Sequence, residues 1–218
     1  MGYDDVAQWY DDVYATSPLG LSGRAVALRL LGDGPGRLLD VGCGGGSHLL
    51  AFAEHGWTPT GVDAAEAQLA LARERGCDVI ATSAEHLPCE DESFDAVVSM
   101  FTHTDFEDFA AATREMARVL TPRGRLVYVG VHPCFVGPHS EYADGAVPAL
   151  HPGYREVRRA FGDAPGISAA GLRGKVGAVH LPLGVLLAAF LDAGLCIERI
   201  EEPGTRDYPK LVAVVCTR

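Results

Sequence analysis

No stretch of the 218-residue chain is apolar for long enough to cross a bilayer. The most apolar segment, LPLGVLLAAFLDAGL at 181–195, is too short and is interrupted by Asp192. The opening MGYDDVAQWYDD lacks the apolar core of an export signal, so a cytoplasmic protein is expected. Positive charge is scarce as well: 18 Lys and Arg stand against 29 Asp and Glu, a net charge of −11. That balance excludes the phosphate neutralisation on which nonspecific nucleic-acid binding rests, and with it attraction to anionic membranes. There is no C-x-x-C pair among the six cysteines at 43, 77, 89, 134, 196 and 216. Scattered in this way they read as reduced thiols, with neither a disulfide framework nor a metal site. Repeats, low-complexity tracts and linkers are absent. What remains is a single domain over 1–218 whose expected partner is a small molecule.

From 37 to 131 strand-like and helix-like runs alternate. RLLDV reads as a strand, and Ser47 is placed to cap the helix SHLLAFAEH, which stops at Gly56. TPTGVD follows as a second strand, AAEAQLALARER as a helix ending at Gly76, DVIAT as a third strand and FDAVVSM as a fourth. DFEDFAAATREMARVL is helical by composition, with Asp105 as its expected cap, and RLVYVGV is the fifth strand. The rhythm breaks over 132–180, which holds five prolines, eight glycines and one helix-like patch, YREVRRAF. It resumes with PLGVLLAAFLDAG, CIERIEEP and KLVAVVCTR, the last two expected to pair antiparallel at an edge. The order implies an α/β, doubly wound, mostly parallel sheet with an insert after strand five. An irregular insert of that length is expected to bind something.

The stretch LLDVGCGGGSH, residues 38–48, places an acid and then four glycines where a buried strand hands over to a helix. Glycine loses the most freedom on folding, so the density points to a ligand lying close to the backbone. Gly42-Cys43-Gly44 opens like a dinucleotide fingerprint, but its third position is Ser47. Asp63 closes the second strand about twenty residues on, where a ribose-binding acid belongs. Asp40 would repel the pyrophosphate of NAD and favour the ammonium and sulfonium of S-adenosylmethionine.

With SAEHLPCEDESFDAVVS after the third strand and EMARVLTPRGRLV leading into the fifth, residues 38–127 resemble the class I S-adenosylmethionine-dependent methyltransferases. The likeness is to the small-molecule branch that includes ubiquinone and menaquinone methylases, and a weaker match extends through HLPLGVLLAAFLDAGLCIERIEEP. It implies a seven-stranded Rossmann-like sheet. It also implies that Asp40, Gly42, Cys43 and Gly44 line the methionine end of the cofactor and that Asp63 holds both ribose hydroxyls. Ala64 would touch the adenine, with Ala84 and Glu85 on its other face, and Ser99 or Met100 would sit near the sulfonium. Two positions depart from the pattern. An aspartate that often meets the adenine amine is Ser83, and the usual Pro-Gly-Gly turn reads Pro122-Arg123-Gly124.

The N-terminal segment 1–30 is expected to cover the cofactor, with Tyr10 as the contact; a helix packing its aromatic face on the core is the competing reading. His132, following strand five, is the first choice for a general base, and His103, following strand four, is its rival. His48, His55 and His86 read as inert surface residues, and His132, Cys134, His139 and Glu141 fit no recurring metal-ligand spacing. Arg155, Arg158 and Arg159 read as a solvated helix face, with contact to an anionic substrate as the less favoured alternative. The insert 132–180 would supply the acceptor pocket. The expected activity is methyl transfer to O, N or activated C of a small molecule, possibly in secondary metabolism. The alternatives are a cyclase or sensor that binds S-adenosylmethionine without transferring a methyl, and, less favoured, an NAD-dependent oxidoreductase.

Overall fold

A computed structural model describes residues 2–14, 16–142 and 147–218. Seven strands form one sheet: β1 (Gly36–Val41), β2 (Trp57–Asp63), β3 (Val79–Ala81), β4 (Phe94–Met100), β5 (Leu120–Val131), β10 (Cys196–Glu201) and β11 (Leu211–Thr217). Their order is β10-β11-β5-β4-β1-β2-β3. The pairs among β1 to β5 are parallel, while β11 runs antiparallel to both β5 and β10. The expected antiparallel pairing at one edge is therefore present.

Alternation along each strand sends apolar side chains to both faces. Leu38, Ala96, Val98, Val127, Val129, Ala213 and Val215 meet Val26, Ala27, Leu30 and Leu31 of α2 (Pro18–Leu31) on one face. Leu39, Val97, Leu126, Tyr128, Val212 and Val214 meet α5 (Phe109–Val119) and α7 (Leu183–Asp192) on the other. Two further helices, α3 (Ser47–Glu54) and α4 (Glu66–Glu74), follow β1 and β2. Strand order reverses between β1 and β4, which is where sheets of this kind open a crevice beyond their carboxyl ends. No helix among the described residues is long and apolar enough to cross a membrane.

Three local expectations are corrected. Ser47 is the first residue of α3, and the capping position belongs to Gly46, whose φ of +79° and lack of a side chain leave the helix without a side-chain cap. Asp108, three residues beyond Asp105, caps α5 by accepting from the Ala111 amide at 2.9 Å. YREVRRAF holds a strand, β8 (Arg158–Ala160), paired antiparallel with β9 (Ala178–His180). Arg158 and Arg159 are exposed, while Ala160 at the end of the strand packs with Ala164, Ile167 and Ala178 in a small cluster. The rest of the insert carries β6 (Ser140–Glu141), β7 (Ala149–Leu150) and α6 (Leu172–Val176). Ahead of α2 lie a 3-10 turn at Tyr3–Val6 and α1 (Ala7–Val13).

Candidate functional site

β1 delivers the glycine run to the crevice. The amides of Gly42 and Cys43 both donate to the Val62 carbonyl, at 2.8 and 3.0 Å, which folds the loop back across the end of β2. The four glycines serve different ends. A Cβ on Gly42 would lie 2.5 Å from Thr102 Cγ2, on Gly45 2.7 Å from Asp11 Oδ1, and on Gly46 3.0 Å from Ala72 Cβ. Packing excludes side chains at those three positions. At Gly44 (φ +53°) the nearest atoms are Gln68 Oε1 at 3.6 Å and Tyr10 Cε1 at 3.9 Å, ordinary contact distances, so of the four only Gly44 would take a Cβ without a clash, and it borders the space beyond.

That space is a cavity of ≈ 610 Å³, walled by the ends of β1, β2, β3 and β4. Asp63 is half-buried in its wall. Its Oδ2 accepts from the Gly44 amide and its Oδ1 from the Ala65 amide, both at 2.9 Å. Burial raises its pKa, and those backbone donors oppose the rise. Ala64, Ser83, Ala84 and Glu85 continue the wall, with Ser83 Oγ donating to Glu85 Oε2 at 2.6 Å. Met100, Phe101 and Thr102 form the β4 side. Phe101 holds a left-handed backbone, φ +62°, and rests its ring on Gly23 of α2. Non-glycine residues in that conformation are uncommon and cluster at binding sites.

Two polar side chains beside the glycine loop are unsatisfied. Asp40 is 1% exposed and its Oδ2 has no hydrogen-bond partner. Burial, with Asp63 nearby, pushes its pKa up to about 8. Gln68 of α4 is also 1% exposed, and neither its Oε1 nor its Nε2 is bonded. Buried polar groups are nearly always paired, so the unbonded Gln68 amide, which lines the cavity, marks a place where a ligand brings the partners.

The N-terminal segment closes the cavity from above. Asp4 Oδ1 accepts from the Ala67 amide at 2.8 Å, and Arg75 joins Asp11 to the Gly45 carbonyl. Tyr3 donates to Asp105 Oδ1 at 2.9 Å, and Arg173 pairs with Asp105 while donating to the Tyr3 hydroxyl at 3.1 Å. Tyr10 lines the cavity and stacks on Tyr14, ring centroids 5.9 Å apart and nearly parallel. Its pKa is pushed up to about 12, chiefly by burial. Arg159 lines this cavity too and donates to the Val176 and Asp105 carbonyls, so it is not part of a solvated helix face.

A second cavity of ≈ 240 Å³ adjoins the first, sharing Tyr10, Phe101 and Arg173 as walls. The insert supplies its far side, through Val136, Ile167, Leu172, Val179 and His180 among others.

Several expected residues stand elsewhere. Asp40 and Cys43 lie behind the loop and do not line the first cavity; Cys43 packs with Leu49 and Leu69. Ser99 is fully buried, donating to the Val41 carbonyl at 3.0 Å, because alternation turns its side chain into the sheet while Met100 reaches the cavity. His132 lines neither cavity. Its Nδ1 accepts from the Cys134 amide at 3.2 Å and its Nε2 faces Glu202 Oε1 at 2.8 Å, so neither nitrogen is free to take a proton from an acceptor. His103 does line the second cavity, but it is 2% exposed, bonded through Nδ1 to the Tyr128 hydroxyl, and pushed down to about 3 by burial. That makes it a poor base. His48, read as a surface residue, is half-buried in the wall of the second cavity. No group of three or more His, Cys, Asp or Glu among the described residues is arranged to hold a metal ion. Gln68, Phe101, Asp105 and Arg173 escaped the sequence reading. Only Phe101 had a local signal, as the residue directly after strand four.

A family model described as a methyltransferase domain matches residues 39–128. A demethylmenaquinone methyltransferase of Mycobacterium marinum (strain ATCC BAA-535 / M) is 35% identical over 155 residues, covering 68% of this chain and 67% of that protein. Among solved structures, an S-adenosylmethionine dependent methyltransferase from Mesorhizobium loti has a TM-score of 0.74 at 24% identity, covering 93% of this chain and 99% of its own. The [4+2]-cyclase SpnF has a TM-score of 0.67 at 20% identity, covering 100% and 97% of the two chains. At such identities these two likenesses speak for the fold alone.

Proposed function

The chain belongs to the class I S-adenosylmethionine-dependent methyltransferases, and from that premise we propose that it methylates a small molecule held in the second cavity while the first holds the cofactor. The observation that carries this reading is the pair of adjoining cavities at the carboxyl edge of the sheet, with Tyr10, Phe101 and Arg173 common to both. The M. marinum relative is named for a small-molecule acceptor, demethylmenaquinone, which supports a small-molecule acceptor here.

The residues of the first cavity fit the cofactor. The unpartnered Gln68 amide, on the cavity wall, suits the polar end of a methionine moiety. Gly44, without a side chain on the cavity wall, lets that moiety lie against the backbone. Asp63, still able to accept with its remaining lone pairs, would hold the ribose hydroxyls, and Ala64, Ser83, Ala84 and Glu85 would border the adenine.

When bound, S-adenosylmethionine supplies a methyl group already activated by its sulfonium. The chain therefore has little bond-making to assist and works by alignment and by excluding water. Segment 1–30 provides the cover, tied down by Asp4, Asp11 and the Tyr3–Asp105–Arg173 cluster. The insert 132–180 provides the acceptor's walls. Met100 and Phe101 at the end of β4 stand where the two ligands would meet.

Incubation with cofactor carrying a ¹³C-methyl group and a panel of candidate acceptors tests the reading. The expected result is S-adenosylhomocysteine formed in step with a labelled product, and only when an acceptor is present. Tight binding of S-adenosylhomocysteine with no labelled product from any acceptor would favour a cyclase or sensor instead.

A further inference from the structure

Of the three side chains that wall both cavities, two are held by partners close at hand. Arg173 is paired with Asp105 and bonded to Tyr3, and Tyr10 is stacked on Tyr14. The third, Phe101, has an apolar ring that no hydrogen bond can hold, and its φ of +62° is uncommon for so bulky a residue. Its backbone is fixed on both sides: the amide donates to the Val129 carbonyl at 2.7 Å, and the carbonyl accepts from the Thr104 hydroxyl at 3.2 Å. The ring packs against the part of the core that α2 covers.

Its seat there is Gly23. A Cβ on Gly23 would lie 2.6 Å from Phe101 Cζ and 2.8 Å from Phe101 Cε2, so close that one of them would have to shift. Gly23 is buried inside α2 and has no positive φ, so its backbone does not call for glycine. Glycine within a helix is destabilising relative to alanine, and its presence there asks for a packing reason. The nearest atoms that a side chain at this position would meet are those of the Phe101 ring. Gly23 itself lines neither cavity, whereas Phe101 lines both.

Building on the two-cavity reading above, we propose that Gly23 is a positioning residue for methyl transfer. By carrying no side chain it lets the Phe101 ring recede onto α2, and the ring so placed is the partition that spaces cofactor from acceptor. A side chain at position 23 would push the ring off α2 and toward the cavities it walls. Gly23 touches neither ligand and acts through Phe101. Alignment is what the chain contributes to this reaction, and a misplacement of about 1 Å can cost on the order of a hundredfold in rate. The seat of the ring therefore bears on the transfer step and not on the fold alone.

Two measurements test this, and neither needs the acceptor. The first is a melting cycle over wild type, Gly23→Ala, Phe101→Leu and the double variant. A leucine has no Cε or Cζ, the atoms that a Cβ on Gly23 would strike. Gly23→Ala should therefore shift Tm upward by at least about 2 °C more in the Phe101→Leu background than in wild type. Equal shifts in both backgrounds would overturn the proposal. Should Gly23→Ala alone fail to fold, a folded double variant supports the seat, and a double variant that also fails while Phe101→Leu folds overturns it. The second measurement reads the partition, which a merely structural role for Gly23 would leave unmoved. With bound S-adenosylmethionine carrying a ¹³C-methyl group, the nuclear Overhauser cross-peak from that methyl to the Phe101 ring should strengthen in Gly23→Ala relative to the one to Tyr10. An unchanged or smaller ratio in the folded variant would overturn the inference and leave the two-cavity reading standing. Absence of these cross-peaks in wild-type protein would remove the two-cavity reading itself, and this inference with it.

Discussion

The two cavities share three wall residues but are built in opposite ways. The first is lined chiefly by residues that end consecutive strands, and it holds carboxylates, an unbonded amide and exposed backbone. The second is assembled from α1, α2, α3, the end of β4 and the insert, and its polar groups are imidazoles, hydroxyls and the guanidinium of Arg173, already paired with Asp105. A charged, widely used cofactor can be met by strand ends that the fold supplies in any case. An acceptor particular to one enzyme requires walls from segments free to vary, and such segments lie outside the sheet.

The sharpest way to break that contrast lies inside the glycine run. Gly44→Val should lower affinity for S-adenosylhomocysteine more than about a hundredfold, about 2.7 kcal/mol. Its folding stability should fall by only about 1–2 kcal/mol, because its Cβ meets its neighbours at ordinary contact distances and the cost is that of the positive φ. Gly42→Ala should do the reverse, costing roughly 2–4 kcal/mol of stability by pressing on Thr102. Paired melting and calorimetry on the two variants check this, and similar profiles for both would refute the assignment of ligand space to Gly44 alone.

Asp63→Ala comes next, with an expected loss of roughly ten- to a hundredfold in affinity for S-adenosylhomocysteine. Unchanged binding in a folded variant would remove Asp63 from the cofactor's ribose.

Asp40 sharpens the comparison through pH. Its folded pKa is raised from 3.8 to about 8, so the folded chain keeps a proton that the unfolded chain releases. The stability this contributes is fully present below pH ≈ 3.8 and is lost as pH rises through about 8. Melting of unliganded wild type should therefore decline across that window more steeply than melting of Asp40→Asn. The smallest effect is expected of Gln68→Leu. Removing an unbonded buried amide should stabilise the unliganded chain by about 1 kcal/mol while weakening S-adenosylhomocysteine roughly fivefold.

The same division explains what the sequence made legible. Gly44, Asp63, Ala64, Ser83, Ala84, Glu85 and Met100 line the first cavity, as strand ends are local signals in the sequence and the sheet gathers them at one edge. Asp40, Cys43 and Ser99 belong to the same motifs but stand one layer back, since whether a motif residue faces a ligand depends on the pleat. Gln68 and Arg173 were missed because a buried amide on a helix, or an arginine on a five-residue helix in an irregular insert, looks ordinary until long-range contacts are known. His132 was misjudged for the converse reason. Its place after strand five is right for a base, but Glu202 and the Cys134 amide, 70 and 2 residues away, occupy its nitrogens.

The central claim is that cofactor and acceptor meet at the wall common to both cavities. Its most direct test is a ¹³C-edited nuclear Overhauser experiment on the chain bound to S-adenosylmethionine carrying a ¹³C-methyl group, with the aromatic protons assigned. The account expects cross-peaks from that methyl to the rings of Phe101 and Tyr10. Cross-peaks to His132 or Phe135 in their place would contradict it.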